Sequence, residues 1–130
     1  MHMAAIDVGL KRIGTAICLD NTIVLPQNAI LRKNRHQAAK EVNHFLETWS
    51  IEKLIVGLPL DAHNSDEMQR RIEHFVSLLE LSIPVDYQDE QHSSVEAKEL
   101  TQGIFKHKKD GKIDSMAAKI ILERYLKSML

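Results

Sequence analysis

The spacing of apolar residues changes period about a third of the way along the chain. Met3 to Val8, Ile13 to Leu19 and Ile23 to Leu31 are short apolar-rich runs, separated by turn signals at Gly9 and at Asp20-Asn21. Three such runs with short connections predict an antiparallel meander. Ala38, Ala39, Val42, Phe45, Leu46 and Trp49 then recur at helical spacing, which predicts a helix over about 35–49. Leu54-Ile55-Val56 is a continuous apolar run closed by Gly57-Leu58-Pro59, the pattern of a strand buried on both faces. Met68, Ile72, Phe75, Val76 and Leu79 predict a second amphipathic helix, with Ser65 as its N-cap and Asp66 and Glu67 in its first turn. Val85 to Asp89 reads as a fifth strand. Ser93-Ser94-Val95-Glu96 has capping-box spacing and predicts a helix ending near Gly103. A last helix is expected to follow Asp114, with Met116, Ala117, Ile120, Ile121, Tyr125, Leu126 and Met129 on one stripe. Phe45, Trp49 and Phe75 fall on apolar stripes and are expected in the core.

The predicted order is β-β-β-α-β-α-β-α-α. Hairpins followed by βα units imply an α/β fold, a five-stranded mixed sheet of three antiparallel strands plus two parallel ones, flanked by helices. At 130 residues, 44% of them hydrophobic and 27% charged, the chain is expected to form one domain spanning 1–130 that needs no staple to fold. Cys18 is the single cysteine, so no internal disulfide forms. With no run of membrane-spanning length and no secretory signal at the start, the expected compartment is the cytoplasm. Seventeen basic and 18 acidic residues leave a formal charge of −1. That balance excludes the strongly basic profile of a bulk nucleic-acid binder. Three local basic clusters stand out nonetheless: Lys11-Arg12, Arg32-Lys33-Asn34-Arg35, and the run from Lys106 through Lys108 and Lys109 to Lys112. Each reads either as solvated loop charge or as a phosphate contact.

Asp7 interrupts an otherwise apolar strand. A carboxylate there must be hydrogen-bonded, paired or bound to a cation, because burying it bare is very costly. One reading is local turn bonding with Gly9; the other is a ligand for Mg²⁺, which prefers hard oxygen donors. Gly9 permits a tight turn, Gly14 keeps the facing strand free of bulk near the acid, and Lys11 and Arg12 at the hairpin tip can reach phosphates. None of the seven histidines has zinc-site spacing.

Four segments together resemble one family. Asp7-Val8-Gly9-Leu10-Lys11-Arg12-Ile13-Gly14 matches the D-x-G-x-x-R-I-G opening of the YqgF (RuvX) family of Holliday junction resolvases and pre-16S ribosomal RNA nucleases. Leu54 to Leu60 matches that family's V-V-G-L-P-L strand, and Asp89-Glu90 stands where it has D-E-R followed by L-T-T. Lys112-Ile113-Asp114 through Tyr125-Leu126 matches its ending. The resemblance spans essentially the whole chain. It implies a ribonuclease H-like fold and a Mg²⁺- or Mn²⁺-dependent nuclease with Asp7, Glu90 and Asp114 as catalytic, metal-holding acids. The implied substrate is structured RNA or branched DNA, foremost the 5′ end of precursor 16S ribosomal RNA, contacted by Lys11, Arg12, Gln91, Lys106, Lys108, Lys109 and Lys112. A monomer or weak homodimer is expected. The chain departs from the family at Gln91, which replaces an arginine; Ser93 and Ser94 keep the hydroxyls of two threonines.

Each acid also has a plainer reading: Glu90 as a solvated strand-end charge, Asp114 as a helix N-cap. In the ribonuclease H-like strand order the fourth strand lies between the first and fifth, which puts Glu90's strand about 10 Å from Asp7's at ~4.8 Å per strand. Two further function classes stay open: a non-catalytic RNA-binding or ribosome-assembly factor using the same groove, and an actin-like or sugar-kinase ATPase, whose phosphate loop also opens on D-x-G. The chain is too short for the duplicated halves of the second.

Overall fold

The computed structural model describes residues 1–59, 66–90 and 111–129. In chain order these form β1 (Met3–Val8), β2 (Arg12–Cys18), β3 (Leu25–Leu31), α1 (Arg35–Thr48), β4 (Lys53–Leu58), α2 (Asp66–Ser77), β5 (Val85–Asp89) and α3 (Lys112–Ser128). The strands make one sheet in the order β3-β2-β1-β4-β5. β1 pairs antiparallel with β2 and parallel with β4; β2–β3 is antiparallel and β4–β5 parallel. The five-stranded mixed sheet is thus as the periodicity implies. The expected helix over 93–103 and the Ser65 cap lie outside the described residues.

Strand alternation sorts the side chains into two layers. Ala4, Ile6 and Val8 of β1 and Leu54, Val56 and Leu58 of β4 face one side, where α1 and α2 supply Ala38, Val42, Leu46, Ile72 and Phe75. Phe45 and Trp49 pack on the margin of this core. Met3 and Ala5 of β1, Ala16 and Cys18 of β2 and Ile55 of β4 face the other side, against Ala118, Ile121, Leu122 and Tyr125 of α3. A strand with helices on both faces must be apolar throughout. β4 shows it: residues 54–58 are all buried. No described helix is long and apolar enough to cross a membrane.

α1 begins where expected, because Asn34 and Gln37 form a reciprocal capping box: the Asn34 side chain accepts from the Gln37 amide at 2.8 Å. α3 differs from the sequence expectation. It starts at Lys112, two residues before Asp114, and its N-cap position is Gly111, with φ +89° and no side-chain cap. Asp114 therefore lies inside the first turn, where a negative charge still favours the helix dipole. The cap reading of Asp114 is overturned. The reason is steric: a Cβ at Gly111 would stand 2.5 Å from the Ala29 Cβ, so helix entry is set by packing on β3 and a left-handed turn that glycine adopts freely.

Candidate active site

Asp7 lies one residue from the carboxyl end of β1, on the face covered by α3. Its register partner on β2 is Gly14. A Cβ on Gly14 would fall 1.9 Å from the Asp114 carbonyl oxygen and 2.8 Å from the Ser115 nitrogen. The first turn of α3 thus rests directly on the β2 backbone, and this contact brings Asp114 over the sheet beside Asp7. Buried Ser115 adds a bond, its hydroxyl accepting from the Thr15 amide at 3.3 Å where the β2–β3 register shifts. Gly14 does keep bulk away from the acid, as expected, and its main effect is to admit the helix that carries the second acid.

Glu90 follows β5, its amide donating to the Leu58 carbonyl at 2.9 Å. It shares the α3 face with Asp86 and Gln88, because Val85 packs on the opposite side. One strand, β4, separates it from Asp7, and there Gly57 occupies the position between them. A Cβ at Gly57 would stand 2.9 Å from Glu90 Oε2, 3.1 Å from Glu90 Cβ and 2.6 Å from Ile121 Cδ1. The missing side chain is the channel through which Glu90 leans across β4 and couples to Asp7, closing the gap expected from strand spacing alone. In the sequence Gly57 closes an apolar run and falls within the segment that matches the family's V-V-G-L-P-L strand. A glycine inside a strand is a signal for close approach, and it would have pointed here.

The electrostatics follow from this crowding. Burial pushes the Asp7 carboxyl well above its ordinary value; the Glu90 charge raises it further, as do a shared hydrogen bond with Glu90 and the charge of Asp114. Glu90 is also raised, chiefly by burial, while its bond with Asp7 acts in the opposite direction. The neighbouring carboxyls compete for one proton. Among the described residues, the buried Glu90 Oε2 has no hydrogen-bond partner. Asp114 is held differently: Arg12 Nε donates to its Oδ2 at 2.8 Å. Arg12 of the hairpin is therefore turned onto an acid of the site. Among the described residues no three acidic, histidine or cysteine side chains already form a metal-holding group. Asp7 and Glu90 nonetheless fit a hard divalent cation in donor chemistry, with the orphaned Glu90 oxygen as the sign that something positive is wanted. Asp114 stands one ion pair away.

All three acids gather outside the carboxyl ends of the parallel strands β1, β4 and β5, where open α/β sheets place their ligand sites. Gln91, Lys106, Lys108 and Lys109 lie outside the described residues. Lys112 opens α3, and Lys11 sits exposed in the β1–β2 turn.

The Gly57 geometry carries a direct expectation. Gly57→Ala should destabilise the fold by about 1–3 kcal/mol through overpacking. By displacing Glu90 it should also weaken divalent-cation binding by about 10–100-fold, the range seen when groups supporting a ligand are altered. Calorimetric titration of the folded variant with Mn²⁺ checks it; wild-type affinity would mean that Glu90 needs no such channel.

Known proteins agree with this architecture. The sequence model of a family described as RuvX, Holliday junction resolvase, matches residues 1–128. A Sulfurovum sp. protein named "Putative pre-16S rRNA nuclease" is 76% identical over 126 residues, covering 97% of this chain and 98% of its own length. A protein of the same name from Campylobacter jejuni subsp. doylei is 48% identical, with 99% of both chains covered. Among solved structures, the Fowlpox virus resolvase with its Holliday junction DNA superimposes with a TM-score of 0.61 at 16% identity, over 100% of this chain and 99% of that one. Thermus thermophilus RuvC with a Holliday junction substrate does so with a TM-score of 0.59 at 10% identity, over 99% and 95%. At those identities the structures speak for the fold, which is ribonuclease H-like. The family model and the close relatives, matching nearly end to end, place this chain in the RuvX family.

Proposed function

We propose that the chain is a single-domain, divalent-metal-dependent nuclease that hydrolyses phosphodiester bonds in structured nucleic acid, its substrate being the 5′ end of precursor 16S ribosomal RNA. The observation that carries this reading is the Asp7–Glu90 pair: two carboxyls forced together across Gly57, one with a buried oxygen that has no partner among the described residues, beside a third acid on α3. Such a cluster is costly in a folded chain unless it holds a cation. The names of the close relatives support the ribosomal RNA substrate. The family description and the resolvase structures favour a four-way DNA junction as the second reading.

In this proposal Asp7, Glu90 and Asp114 hold Mg²⁺ or Mn²⁺. Bound ions of this kind polarise the phosphoryl oxygen and lower the pKa of a coordinated water. The protein's own residues set the stage. Burial and mutual repulsion keep Asp7 and Glu90 avid for positive charge, and Arg12 fixes the position of Asp114. Lys11, Gln91, Lys106, Lys108, Lys109 and Lys112 are proposed to contact phosphates, which supplies affinity without base readout.

Purified protein with Mn²⁺ or Mg²⁺, offered precursor 16S RNA and junction DNA side by side, tests the proposal. Metal-dependent release of a discrete 5′ fragment from the RNA is the expected result. Cleavage of the junction alone would move the substrate to the second reading. Metal-dependent binding to either without cleavage would make the chain an assembly factor.

A further inference from the structure

The basic cluster at 32–35 has no role in the acid site, yet the fold gives it a definite place. On the sheet face opposite Asp7, a cavity of about 150 Å³ opens at the end of β1, lined by Val8 and Gly9, by Arg32 just after β3, by Arg35 opening α1, and by Arg71 and Phe75 of α2. Asp7 and Val8 are consecutive on β1 and point to opposite faces, so the cavity and the acid pair share one strand end.

Arg32 is the unusual member. Its side chain is partly buried, lies 5.1 Å over the Phe75 ring centroid, and donates from Nη1 to the Gly9 carbonyl at 2.7 Å. Burial disfavours its charge. Among the described residues no carboxylate answers that charge, and Arg35 forms no ion pair there either. Arg71 is engaged by Glu67 at 2.6 Å; His74 also borders the cavity, and among the described residues no acidic side chain lines it. A half-buried guanidinium costs desolvation that one carbonyl and one ring repay only in part. Among the described residues, two nitrogens of its planar guanidinium remain for two oxygens of an anion, the forked geometry in which arginine binds phosphate.

We propose that this arginine cavity is a second nucleic-acid contact, seating one backbone phosphate of the substrate strand after it passes over the carboxyl ends of β1 and β4 from the acid site. The cavity has room for a phosphodiester group and none for a base pair. A phosphate held there would fix the register of the strand over Asp7, because Arg32 is bonded to Gly9 in the same hairpin. The inference rests on the nuclease reading for the identity of the anion.

The test is the salt dependence of binding, measured by fluorescence anisotropy on a hairpin RNA with a single-stranded extension between about 50 and 200 mM salt. Arg35→Gln and the double change Arg32→Gln/Arg35→Gln are compared with wild type, and thermal melts show whether each folds. Loss of one phosphate contact should reduce the slope of log affinity against log salt by about 0.7–0.9. The double variant should bind at least several-fold more weakly at the upper salt concentration. Arg35→Gln, exposed and with no partner to lose among the described residues, keeps the test decisive if removing Arg32 unfolds the chain. An unchanged slope and affinity in the folded variants would overturn the phosphate site and leave the nuclease reading standing. If wild-type protein binds neither this RNA nor junction DNA, both fall together.

Discussion

Replacing Asp7 by Asn is expected to abolish metal-dependent cleavage, by at least about a hundredfold, since even groups that only support a metal ligand contribute 10–100-fold. The amide keeps the shape of the carboxyl and removes its charge, and charge is what a divalent cation requires. The same substitution should make the metal-free protein more stable at neutral pH. The Asp7 carboxyl has its pKa raised in the fold from an ordinary 3.8, by burial first and by the Glu90 charge second. The folded chain therefore holds that proton more tightly than the unfolded chain does. Its contribution to stability is complete below the ordinary value and is lost as pH rises through the folded one. Melting curves of metal-free wild type should decline over that window, and those of Asp7→Asn should decline less. Adding Mn²⁺ should raise the melting temperature of wild type and leave the variant nearly unmoved, because only a folded state with the site intact gains from ligand. Cleavage within a few fold of wild type would remove Asp7 from the site. A variant less stable than wild type without metal would contradict the crowding of Asp7 with Glu90.

The second large effect is expected at Asp114, and the position of α3 sharpens it. Were Asp114 a cap, Asn would substitute for it and Ala would cost about 1 kcal/mol. Because the helix starts at Lys112, no cap is lost in either variant. Both lose the favourable first-turn charge on α3 and the Arg12 ion pair, partly exposed at 22% and 30%, a class of interaction worth about 0–1 kcal/mol. Both also relieve the repulsion that Asp114 exerts on Asp7. Asp114→Asn and Asp114→Ala should therefore melt within about 1 kcal/mol of wild type and of each other, while both lose cleavage and bind Mn²⁺ more weakly by calorimetry. A stable Asn variant that cleaves normally would reduce Asp114 to a partner for Arg12.

Much of this protein is legible in its sequence. The apolar run at Met3–Val8, the helical period from Ala38 to Trp49 and the unbroken apolar run at Leu54–Val56 are local consequences of which faces must be buried, and the sheet and its layers follow them. Asp7 was visible for the same reason, as a charge where burial tolerates none. Other features depended on contacts between residues far apart in the chain. The start of α3 follows from Gly111 meeting Ala29 and from Asp114 resting on Gly14, distances that no pattern around Asp114 encodes. Arg12 pairs with Asp114, a carboxylate 102 residues away along the chain. Glu90 reaches Asp7 only because Gly57, on the strand between them, has no side chain. Burial periodicity is written along the chain; the pairing of charges across the sheet end is a property of three elements meeting, and only the folded structure decides it.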